Sequence, residues 1–213
     1  MMNRRIAALR VAVTGCAVLV VLGLSLAPAA APADPVVGTW ATYQWTSALR
    51  EEIPVLVQQE QPGGPSTWSV TKESAAPPPL FVTYSIVRGD ARTYVLQIVT
   101  RQTLEGPALA VTQTTVDRQS GKAVKSVTQR PKGLIDTPDS GLRPFRQTAA
   151  TGAAEEISVP AGRFPALRVS LPPNTVWVSD AIPAMGLVKA TFPSGQLELV
   201  KSGASGAQDL LRS

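Results

Sequence analysis

Ser69-Val70-Thr71-Lys72 has the Ser-x-x-Lys spacing that serves a serine nucleophile with a lysine base. That chemistry needs the amine one helical turn from the hydroxyl, where it can take the proton. Residues 67–73 instead alternate like a strand, and in a strand positions i and i+3 face opposite sides. The spacing therefore reads as chance. Three acidic pairs follow: Glu51/Glu52, Glu155/Glu156 and Asp136/Asp139. Neighbouring strand residues point apart, so neither Glu pair forms a catalytic carboxylate dyad by itself. The two Asp fall in a loop without the ligand pattern of a calcium hand and read as solvated. Gly121-Lys122 lacks the preceding glycines of a phosphate loop and reads as a turn.

Missing residue types narrow the chemistry further. Beyond residue 33 the chain has no His and no Cys. This removes imidazole acid–base catalysis, Ser-His-Asp and Cys-His nucleophiles, and the usual zinc, copper, haem and iron–sulfur ligand sets. The expectation is a protein that is not an enzyme and holds no cofactor or metal. It also has no disulfide, so its core alone must hold the fold.

The first 33 residues read as a secretory leader. Arg4, Arg5 and Arg10 precede the apolar run Ala17–Leu26, and Ala31-Pro32-Ala33 has the small-x-small form of a cleavage site. Removing this segment lowers the formal charge from +5 to about +2, so the basic character gives no reason to expect nucleic acid. Val13-Thr14-Gly15-Cys16 loosely resembles a lipoprotein acylation site, but the longest apolar run follows the Cys, which favours cleavage over anchoring at Cys16. No later run approaches the length of a membrane span. The expected location is periplasmic or extracellular.

Aromatic residues are the remaining candidates. Trp40, Tyr43, Trp45, Trp68, Tyr84 and Trp177 all lie in strand-like runs. Trp40 and Trp45 differ in parity, so they face opposite sides of one strand. Two readings stay open for the set: core packing with one partly covered Trp, or an apolar groove on the concave side of a curved sheet.

The elements that carry these residues are strands. Alternation is clear at 37–45, 53–57, 67–73, 80–86, 94–98, 108–116, 154–159, 164–171, 175–179, 186–192 and 196–201. Each run has about the length of a strand, and turn residues separate them. Pro54 suggests an edge strand. Pro160-Ala161-Gly162 suggests a type II turn. Residues from about 130 to 152 are broken by Pro and Gly and read as a long loop. Residues 202–213 read as a frayed end or one short helix. The expected fold is mainly β, with few or no helices. A single, highly curved antiparallel sheet forming a half-barrel is favoured, with a β-sandwich as the alternative. Residues 34–213 are expected to form a single domain.

The run Glu156-Ile157-Ser158-Val159-Pro160-Ala161-Gly162-Arg163-Phe164-Pro165-Ala166 resembles a hairpin found in many uncharacterised exported bacterial proteins. Val176–Pro183, then Gly186-Leu187-Val188-Lys189, then Leu197-Glu198-Leu199 follow in the same order, and Val37–Tyr43 is similar to their opening. Such proteins are similar to the LolA and LolB superfamily of lipoprotein carriers, which shelter acyl chains in an incomplete barrel. The resemblance implies a curved sheet and an apolar ligand and transfers no catalytic residue. The expected function is a non-enzymatic binding domain for a lipid-like or acyl ligand. The alternative is a cell-envelope structural or protein-interaction module that contacts another envelope protein.

Overall fold

The computed structural model of the protein describes residues 34–59, 67–136, 143–144 and 151–211. Its strands are β1 (Trp40–Ser47), β2 (Glu51–Gln59), β3 (Thr67–Ala75), β4 (Leu80–Gly89), β5 (Thr93–Arg101), β6 (Ala108–Asp117), β7 (Ala123–Arg130), β8 (Gly133–Asp136), β9 (Ala153–Val159), β10 (Gly162–Leu171), β11 (Asn174–Val178), β12 (Leu187–Phe192) and β13 (Gly195–Gly203). There is no helix among the described residues, and so none long and apolar enough to cross a membrane. The chain divides into two compact units.

One unit contains the β2–β3 hairpin, an insertion between β1 and β4. Its register runs from Glu51 opposite Ala75 to Gln59 opposite Thr67. A two-stranded ribbon has an outer edge on each strand, which is why Pro54 is tolerated inside β2. Lys72 pairs with Glu52 at 2.9 Å, with both side chains largely exposed. The Lys72 amine is thus turned to a carboxylate, as strand geometry requires, and Ser69 lies on the opposite face by register.

The other unit is an eleven-stranded sheet in the order β8-β7-β6-β5-β4-β1-β13-β12-β11-β10-β9. Every neighbouring pair is antiparallel. The sheet is two sequential meanders, β4 to β8 and β9 to β13, stitched together by β1. It stays open, with β8 and β9 as its edges. Gly133–Asp136 falls where the sequence predicts a loop. Arg130 pairs with Gly133, whose φ of +118° suits glycine, so Pro131-Lys132 is a tight turn and not the start of a long excursion. Apart from 143–144 and 151–152, the rest of that expected loop lies outside the described residues.

Alternation divides the sheet into two faces. On the apolar face Ala41, Tyr43, Ile86, Tyr94, Leu96, Val116, Val176, Val178, Leu197 and Leu199 are buried in one cluster. The connector from β11 to β12 supplies Ile182 and Met185 to the same cluster. Its own turns are closed by bonds from Ser179 N to Gly186 O at 2.8 Å and from Gly186 N to Ile182 O at 3.2 Å.

The β9–β10 hairpin reaches back to β13, three strands away in sheet order, where Ala161 N donates to Leu199 O at 3.0 Å. Ile157, Val159 and Phe164 of this hairpin pack against the core cluster. The turn itself is Pro160-Ala161, and neither residue has positive φ. Gly162 (φ +129°) instead opens β10. It is therefore not the expected type II turn, which requires positive φ at its second central residue.

Single-residue register shifts interrupt the ladders. Val87 is skipped between β4 and β5, and Val200 between β1 and β13. A bulge reverses the parity of every residue beyond it. Arg88 would otherwise share the apolar face with Tyr84 and Ile86, and Lys201 would share it with Leu199. The two bulges turn both cations onto the polar face.

A candidate binding cradle on the polar face

Register places Trp40, Ser85, Gln97 and Gln113 in one cross-strand row on the polar face. Thr42, Thr83, Val99 and Val111 form the next row. Over these rows lies the segment that follows β13. A cavity of about 150 Å³ separates the two, lined by Trp40, Thr83, Ser85, Gln97, Val99 and Arg101 below and by residues 206–208 and 210 above.

The segment is held chiefly by side chains. Trp40 Nε1 donates to Ser205 O at 2.9 Å. Gly203 makes this geometry available, because a Cβ there would lie 2.5 Å from the same indole nitrogen. Ala207 N donates to Gly38 O at 2.9 Å. Gln97 is only 2% exposed. Its Nε2 donates to Gln208 O at 2.8 Å, and its Oε1 accepts from Leu210 N at 3.0 Å. Its amide orientation follows from these partners, since a flipped amide would set oxygen against oxygen and N–H against N–H. Gln113 Nε2 donates to Gln97 Oε1 at 2.9 Å and to Asp209 Oδ1 at 2.7 Å. Arg88 closes the ring: its Nη2 donates to Gln113 Oε1 at 2.8 Å and its Nε lies 2.8 Å from Asp209 Oδ2. Where the sequence suggests a frayed or helical end over 202–213, residues 204–211 form an irregular strap pinned to the sheet.

The cavity wall carries one cation, whose charge also acts on the Glu105 carboxyl. This is Arg101, and its nearest polar contact is a long 3.5 Å approach to Thr83 Oγ1. Among the described residues no carboxylate lies within ion-pair distance of Arg101. Lys201 sits 5.9 Å from the Trp40 ring centroid and pairs with Glu105 at 2.5 Å. That amine, by hydrogen bond and charge, holds the Glu105 carboxyl below its ordinary value.

Of the aromatic candidates whose side chains are described, only Trp40 lines this cavity. Tyr43 and Tyr84 are core residues, 0% and 6% exposed, with rings edge to face at 5.6 Å. Tyr43 Oη donates to Leu187 O at 2.9 Å. Burial pushes both phenols well above the usual tyrosine value, and for Tyr43 the neighbouring Tyr84 adds to the rise. Trp45 faces the apolar side and packs on Phe192 at 5.7 Å. Trp177 lies on the polar face within 5.9 Å of both Arg168 and Lys189, and its indole N–H is bonded to Glu155. Trp68 stands opposite Gln58 in the hairpin, and its side chain lies outside the described residues.

Sequence reasoning missed Gln97, Gln113, Arg88 and Asp209. A sign of the first was present: Gln97 sits in the middle of Tyr94–Thr100, which is apolar on both parities, and an amide buried there needs partners. Among the described residues no three His, Cys, Asp or Glu side chains converge to share a metal ion. No family model matches the chain, and neither a curated protein nor a solved structure was found to match it.

Proposed function

We propose that the protein is an exported, non-enzymatic binding domain, working as a protein-interaction module through the polar face of its sheet. The observation that carries this reading is the cavity beneath the strap, with the Arg101 guanidinium in its wall and, among the described residues, no carboxylate within ion-pair distance of it. The Thr83 and Ser85 hydroxyls and the Arg101 guanidinium suit a carboxylate or carbonyl. A methylene chain in the same hollow would strip water from these groups and return no hydrogen bond. The leader-like start supports export, and the absence of His and Cys beyond residue 33 supports the non-enzymatic part.

The lipid-carrier reading draws support from the open antiparallel sheet and its curl at the β9–β10 end, which suit an incomplete barrel. On the apolar face, however, an acyl chain would have to displace Ile182 and Met185, 4% and 1% exposed, before it reached Tyr43 or Tyr84. A nuclear magnetic resonance titration with two probes separates the readings: an acidic tetrapeptide and dodecanoate. The expected result is movement of the Trp40 indole and Gln97 amide signals with the peptide, weakened about tenfold by Arg101→Ala. Movement of Tyr43 and Tyr84 signals with dodecanoate alone would replace this reading by the lipid one.

A further inference from the structure

We propose that the strap is an intramolecular occupant of a peptide-binding cradle, and that the cradle takes in trans an extended polypeptide segment carrying an aspartate. The inference deepens the binding-domain reading above and rests on it.

Gln97 reads backbone. The two groups it engages, Gln208 O and Leu210 N, flank residue 209 in the way a neighbouring strand would pair with it. Such a contact accepts any extended segment, whatever its side chains. Arg88 and Gln113 read one side chain. Together they contact both oxygens of Asp209, whose side chain is 11% exposed. A carboxylate that accepts an amide bond on one oxygen and sits 2.8 Å from a guanidinium on the other is distinguished by its charge from an amide of the same shape. The residue after it adds little, because Leu210 is 40% exposed. Specificity therefore lies in backbone plus one acid.

The cradle is built without the strap. Gln97 also approaches Ser85 Oγ at 3.4 Å, Gln113 bonds to Gln97, and Arg88 is aimed by the Val87 bulge. These groups belong to β4, β5 and β6 and keep their places if the strap leaves. The strap, in turn, makes no ladder with any strand among the described residues. Its departure breaks the handful of bonds named above and unzips no part of the sheet. The cavity beneath it means that this departure also forfeits little packing.

The test uses the full chain carrying Asp209→Asn, which weakens the strap's hold and leaves the cradle intact. The probe is a fluorescent peptide with the sequence of residues 205–211, alongside its Asp-to-Asn counterpart. Fluorescence anisotropy measures binding, and the Trp40 indole resonance reports strap release. The expected result is that the Asp peptide binds the variant about tenfold more tightly than it binds the unaltered protein. The Asn peptide should bind at least about tenfold more weakly, and adding Arg88→Ala should remove the preference for Asp. Release of the strap without peptide binding would overturn the trans cradle and leave the binding-domain reading standing, since that reading depends on Arg101. Equal binding of the two peptides would overturn the cradle, and so would a strap that stays bound and excludes both.

Discussion

Gln97 makes four hydrogen bonds, two donated and two accepted, which is the full capacity of a primary amide. Few single residues in the sheet settle so many partners. Gln97→Leu keeps the size but leaves Leu210 N–H, Gln208 C=O and the Gln113 amide without it. A cost of about 2–3 kcal/mol is expected from urea unfolding, with strap release visible at Trp40. A smaller change than Val99→Ala would give would show that water replaces the amide freely. Two turn aspartates make a separate prediction. The backbone N–H groups of Thr93 and Arg92 hold the Asp90 carboxyl below the ordinary aspartate value. The backbone and hydroxyl of Ser120 do the same for Asp117. A lowered folded value means that their stabilisation is present above the unfolded aspartate value and is lost as pH falls through the folded one. Carboxylate titration by resonance should find both below an exposed aspartate such as one in a short peptide. Ordinary values would show that the β4–β5 and β6–β7 turns do not depend on these caps.

Among the elements, the bulges decide which side chains become a site. Strand alternation was legible from the sequence, and it placed Trp40 and Trp45 on opposite faces, as the structure has them. Bulges were not legible. Val87 and Val200 are ordinary strand residues, and the register shifts arise from how β4 meets β5 and β13 meets β1. Parity counted along the sequence therefore sends Arg88 to the wrong face and hides its meeting with Gln113. The aromatic residues misled for a related reason: large apolar side chains report burial first, and Tyr43 and Tyr84 are buried. One variant pair tests the bulge. Arg88→Ala should cost about 1–3 kcal/mol through the loss of a charge-assisted contact. Deleting Val87 removes the extra residue, so that Arg88 follows Ile86 directly and stays opposite Val95 on the polar face by plain alternation. Adding Arg88→Ala to the deletion should therefore cost as much as Arg88→Ala alone, and a clearly smaller added loss in urea unfolding would mean that Arg88 had left Asp209.

For the whole molecule, the fold class followed from composition and period: many short alternating runs, turn residues between them and no amphipathic helix. The stitching of two meanders by β1 did not, because antiparallel partners distant in sequence leave no local mark. The β9–β10 hairpin was readable as a hairpin, but its bond to Leu199 was not. The strap was the least legible part. Its residues, 204–211, have no period, and their order comes largely from Gln97, over a hundred positions away.

The central claim is that this strap opens while the sheet stays folded. Native-state hydrogen exchange measures that directly, through the amides of Ala207 and Leu210 against those of β1, β5 and β13. The account predicts that both strap amides exchange at least about a hundredfold faster than the core strands, with rates insensitive to low denaturant. Strap amides that exchange only with global unfolding would contradict it, because the cradle would then never stand open to a partner.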